Sequence, residues 1–147
     1  MDGTSDTDLI EMAKSLKIPF FKGVLMNDEI NNIKRTKNIN FIAGYCDTNE
    51  PGVTHWIAVI IRNNINYFFD SYGNDMPDTI RQFLGPNVTR STYQIQNYNT
   101  YACGQLSMLV IYLLVVKKIK YVDIIMSMLD ASERYNQQER INNNVGE

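Results

Sequence analysis

The chain is short of the residues that most chemistry uses: 147 residues hold one histidine, two cysteines and one tryptophan. Three Cys and His side chains cannot fill a four-ligand zinc site, so no metal is expected. A general base working near neutral pH has one candidate, His55. Cys46 and Cys103 are too few for a disulfide framework. The first ten residues are polar and acidic rather than a secretory leader, so a reducing compartment is expected. Without a secretory route, the sequon Asn87-Val88-Thr89 reads as chance. The longest apolar run, 106–116, falls short of the ~20 residues that cross a bilayer, and no membrane association is expected. There is no excess of one charge: 14 Lys and Arg stand against 16 Asp and Glu, for a net charge of −2. A dominant basic face for nucleic acid is therefore not evident. With four prolines, no repeats and no linker, 1–147 reads as a single domain with a frayed tail from about 142 to 147.

What is present is a sequence of elements. Asp8 with Glu11 three residues on resembles a helix start, and Leu9, Met12, Ala13 and Leu16 continue at helical spacing until Pro19. Phe20-Phe21 and Val24-Leu25 read as anchors of a loop over the core, and 27–30 as a short helix. The run 39–45 predicts a strand, 49–52 a turn, and 54–62 a strong strand. Asn63-Asn64 predicts a hairpin turn into a return strand over 65–70. A helix is expected over 77–84 with Pro77 at its first position, and a short strand over 92–96. A polar loop, 96–102, precedes an apolar helix over 103–116, which should be buried on all sides. Helix is expected again over 122–129 and on to about 140. Helix, strands, buried helix and helices in that order predict an α+β fold.

Four positions carry chemistry. Cys103 opens the apolar helix, where the positive end of the helix dipole favours a thiolate. Gly104 beside it leaves room for a substrate backbone. A small buried residue in a helix is the plainer reading of Cys103. His55 heads the central strand, where satisfying a carbonyl is its plainer role, and Trp56 is by default a core aromatic. Asp70 ends the return strand, where Asp also favours turns. Together Cys103, His55 and Asp70 supply nucleophile, base and orienting carboxylate. Gln96, seven residues before Cys103, could donate to a developing oxyanion together with the Cys103 backbone N–H, although Gln94 shows that glutamine is not special here. Cys46 reads as a strand-packing residue.

These motifs are Gly52-Val53-Thr54-His55-Trp56, Phe69-Asp70-Ser71-Tyr72-Gly73, Gln96, and Ala102-Cys103-Gly104. In order and spacing they resemble the adenovirus-type (adenain-like) viral cysteine proteases, relatives of the SUMO-protease group. Here one extra residue precedes the His, and Asp70 stands where adenovirus members often have Glu. The N-terminal part fits as well, through its helix, Phe20-Phe21 and Gly23, and the resemblance spans roughly 5–125.

The resemblance implies a mixed, largely antiparallel sheet packed on a buried helix that starts at the nucleophile. It implies a viral cysteine endopeptidase processing capsid or core precursors beside glycine, through an acyl-enzyme. His55, Asp70 and Cys103 would be catalytic, Gln96 and the Cys103 amide the oxyanion hole, and Trp56 and Gly104 part of a narrow substrate cleft. The alternatives are a protease removing ubiquitin-like modifiers and a non-catalytic virion or adaptor protein of the same fold. No cofactor is required by the residues. The cysteine that pairs with an activating peptide in adenovirus enzymes has no counterpart between Gly73 and Gln96. DNA, also a family cofactor, would fall to Lys34, Arg35, Lys37, Lys117, Lys118 and Lys120, for which a solvated face is the preferred reading. The shorter C-terminal part points to a virophage or a related DNA virus or transposon. The expected locations are host cytoplasm, viral factory and virion.

Overall fold

The computed structural model describes residues 4–46, 54–95 and 102–145. Five strands form one mixed sheet in the order β1-β2-β3-β4-β5: Phe21–Met26, Ile39–Cys46, Thr54–Arg62, Ile65–Phe69 and Val88–Arg90. The β2–β3 and β3–β4 pairs are antiparallel, and the outer pairs are parallel. Central β3 is buried over 55–61, and its alternation sends apolar side chains to both faces. On one face Trp56, Ala58 and Ile60 pack under α1 (Asp6–Ser15), α2 being Asp78–Leu84, and under α3 (Cys103–Ile111) and α4 (Tyr121–Val145). On the other, Ile57, Val59 and Ile61 pack with Ile30, Met76, Ile80 and Leu84 from the 3-10 turn Asn27–Asn32 and the α2 region. The sheet is thus covered by helix on both sides, and the α+β class and the buried helix starting at Cys103 agree with the sequence.

The β3–β4 hairpin turns where expected, with Asn63 and Asn64 both left-handed (φ 52° and 66°), as a two-residue turn of this hand demands. Several boundaries differ. Ser5, not Asp8, caps α1: its hydroxyl accepts the Asp8 N–H at 3.2 Å while the Asp8 carboxylate accepts the Ser5 N–H at 3.3 Å. The helix ends at Ser15, short of Pro19, because Lys17 turns left-handed. The segment expected as a loop is strand β1. Its backbone pairs with β2, and Val24 and Leu25 reach opposite faces of the sheet.

Further along, β5 is Val88–Arg90 rather than 92–96: it pairs with Asn66–Phe68, whereas Ile95 is tied down only through single bonds to Ser71 and Ser132. Pro77 caps α2 instead of opening it. The apolar helix over 103–116 is α-helical to Ile111 and π-helical over Tyr112–Val116. The final helix runs unbroken to Val145. The expected turn at 49–52 lies outside the described residues, as do 96–101 of the polar loop.

Candidate active site

β4 stops pairing with β3 at Phe69–Ala58. The last four residues of β3 toward that end, Ile57, Trp56, His55 and Thr54, therefore have no β4 neighbour. Into this notch comes the first turn of α3. The Trp56 backbone N–H, left out of the ladder, points at Cys103 Sγ at 3.4 Å. The Ser107 hydroxyl, one turn further along α3, donates to the Trp56 carbonyl at 3.3 Å. Two bonds thus tie the start of α3 to the strand position next to the histidine.

His55 and Asp70 are buried together, Asp70 completely. The His55 Nε2–H donates to Asp70 Oδ1 at 2.8 Å; because a carboxylate only accepts, the proton is on Nε2 and Nδ1 is the basic nitrogen of the neutral ring. Nδ1 is buried and makes no hydrogen bond to a described residue. Burial alone would lower the imidazole pKa, and it is the largest single influence. The Asp70 hydrogen bond, the Cys103 thiol and the charges of both outweigh it together, and the pKa is pushed up to about 9. The Trp56 N–H bond holds Cys103 Sγ at the strand position next to His55.

Asp70 is held in turn. The Tyr72 N–H donates to Oδ1 at 2.8 Å and the Tyr45 hydroxyl to Oδ2 at 3.3 Å. The Tyr72 ring stacks on the imidazole at 4.3 Å and 7°, and the Tyr45 ring meets it edge-on at 5.5 Å and 82°. The two tyrosines were not picked out from sequence. Tyr45 faces His55 across the β2–β3 ladder, so pairing the two predicted strands in register would have found it.

Raising a histidine pKa above its unfolded value of 6.5 has a signed consequence. The stabilisation is fully present below about pH 6.5 and is lost as pH rises through about 9. Urea unfolding is expected to give a stability that falls by up to about 3 kcal/mol across that window. Asp70→Asn should flatten the fall, because it removes the largest raising influence.

The structure brings His55, Asp70 and Cys103 together. Gln96 lies outside the described residues. Trp56 and Gly104, expected in a narrow substrate cleft, are both buried beside Cys103. A Cβ on Gly104 would stand 3.1 Å from Leu9, 3.1 Å from the indole and 3.3 Å from Thr4, so the room that glycine leaves is taken by α1 and Trp56. The indole N–H donates to the Thr4 carbonyl at 2.9 Å. The basic residues do not gather here. Arg35 is used structurally, its guanidinium bonding Asn66 Oδ1 at 2.7 Å and the Phe83 and Leu84 carbonyls at the end of α2. Lys117 lies over the Tyr112 ring. Among the described residues, no helix is long and apolar enough to cross a membrane.

Neither a protein-family model nor a curated protein matches the chain. Its fold is similar to solved structures of a protease from ASFV. The crystal structure of ASFV pS273R protease aligns with a TM-score of 0.58 at 16% identity, over 84% of this chain and 61% of that one. A selenomethionine crystal structure of the same protease aligns at a TM-score of 0.45 and 20% identity, over 63% of this chain and 39% of that one. The chain therefore spans about three fifths of the length of the protease whose fold it shares.

Proposed function

We propose that this chain is a viral cysteine endopeptidase with Cys103 as nucleophile, His55 as base and Asp70 as the carboxylate that orients it. The observation that carries the reading is the convergence of three elements. A buried His–Asp pair is closed at 2.8 Å, and the cysteine that starts α3 is held at the histidine's side by the neighbouring backbone N–H. The fold shared with the ASFV protease supports it.

In the proposed reaction the Cys103 thiolate, its proton held on His55 Nδ1, attacks the scissile carbonyl carbon. The carbonyl oxygen takes the negative charge, facing the start of α3. That helix has no side-chain cap, so its first N–H groups are available as donors. The Cys103 N–H, together with the Gln96 amide, is the proposed oxyanion hole. His55 then returns the proton to the leaving amine, giving a thioester. A water, deprotonated by His55, attacks that thioester and frees the acid and the thiol.

The proposed substrates are capsid or core precursors cut beside glycine, in the host cytoplasm, the viral factory or the virion of a virophage or related DNA virus. The chain is proposed to act as one domain. Co-expression of wild-type and Cys103→Ala protein with the precursors encoded in the same genome tests this, read by intact mass. Cleavage by the wild type alone is expected, and identical precursor masses in both would remove the maturation role.

A further inference from the structure

The far end of β3 carries a second constellation. Arg62 lies seven residues from His55 along the strand, about 23 Å at strand rise. Around it, Pro19, Phe20, Asn38, Asn40, Ile61, Asn63, Val115 and Lys118 line a pocket of about 280 Å³. Its walls are half apolar, its floor carries amides, and its rim carries two cations.

Three features of this pocket lack an explanation within the chain. First, Asn40 is buried, at 1% exposure. Its Nδ2 donates to the Pro19 carbonyl at 2.9 Å, which fixes the amide orientation and leaves Oδ1 buried without a donor. A carbonyl oxygen buried without a partner is destabilising. Second, neither Arg62 nor Lys118 has a carboxylate partner among the described residues. The chain segments meeting here, 14–22, 34–40, 60–66 and 112–120, contain no Asp or Glu. Third, Phe20 is 62% exposed at the pocket mouth with a left-handed backbone (φ 61°), a conformation strained for a non-glycine residue. Asn40 holds it there: its own N–H donates to the Phe20 carbonyl at 3.1 Å.

From this we infer that the pocket binds a small phosphate ester with an aromatic body, the chemistry of a mononucleotide. The phosphate lies between Arg62 and Lys118, where two unneutralised cations attract a compact anion. The aromatic base rests on the exposed Phe20 ring and the apolar wall of Pro19 and Val115. The site stands apart from His55 and Cys103, so it holds whether or not the protein is a protease.

The test is a titration of ¹⁵N-labelled protein with AMP, adenosine and inorganic phosphate in parallel, followed by backbone amide shifts. Saturable AMP binding in the ~1 mM range or tighter is expected, with the largest shifts at 20, 38–40, 62–63 and 118. Adenosine and phosphate should each bind at least about tenfold more weakly. Arg62→Gln and Lys118→Gln should each weaken AMP by about tenfold; both side chains are at the surface, so the fold is kept and the spectrum verifies it. No saturable AMP binding, phosphate binding as tightly as AMP, or AMP binding unmoved by both substitutions would each overturn the inference. So would binding of an oligonucleotide with none of the mononucleotide.

Discussion

Replacing His55 with alanine is expected to remove peptide hydrolysis, lowering kcat/KM by on the order of 10,000-fold or more. The reason is numerical as well as geometric. The chain holds one histidine, and the carboxylate bonded to it, Asp70, is already committed to Nε2, Tyr72 and Tyr45. No second imidazole can move into the gap. His55→Gln, which keeps most of the buried volume, should be equally inactive while folding closer to wild type, separating loss of chemistry from loss of packing. Asp70→Asn should be intermediate to severe, because it offers Nε2 an amide and releases the ring to the wrong tautomer. Initial rates on a glycine-containing peptide library check all three. A His55→Ala protein retaining a tenth of the wild-type rate would remove the histidine from the mechanism.

Trp56→Ala is expected to cost about 3–5 kcal/mol of stability, the range for emptying a large buried aromatic site. The indole is 6% exposed and is held from three directions. Its edge N–H donates to the Thr4 carbonyl, a Cβ on Gly104 would stand 3.1 Å from one edge, and Gly44 lies so close to the ring that any Cβ there would collide with it. Two glycines on separate elements thus leave the space that the indole fills. Neither neighbour can grow into the vacancy, so the cavity remains. Urea unfolding of the Cys103→Ala background, with and without Trp56→Ala, measures the cost free of self-cleavage. A loss below about 1 kcal/mol would show that the site collapses around the missing ring and would contradict the locked packing described.

The comparison of these two residues shows what the sequence could tell. The chemistry was legible because rare residues carried it: one histidine, one aspartate at a strand end and one cysteine at a helix start left few ways to pair. The hairpin was legible because Asn63-Asn64 accepts the left-handed backbone that a two-residue turn needs. Strand β1 was not, because an edge strand that follows a left-handed phenylalanine, with Gly23 breaking its register, carries no clean alternation. A glycine beside a cysteine signals close approach, but only the tertiary packing shows that Leu9 and Trp56 stand next to Gly104. The second pocket had no signature at all in the sequence: Phe20, Asn40, Arg62 and Lys118 are far apart in the chain and meet only once the sheet is built.

The account's central claim is that Cys103 forms a thioester with the substrate while His55 handles the proton. Intact mass spectrometry of the protein quenched in acid during turnover of a cleaved peptide tests it most directly. The predicted result is an added mass equal to the acyl portion of the peptide, located on Cys103 and absent from Cys103→Ala. Cleavage that persists in Cys103→Ala, or an acyl group carried on another residue, would contradict it.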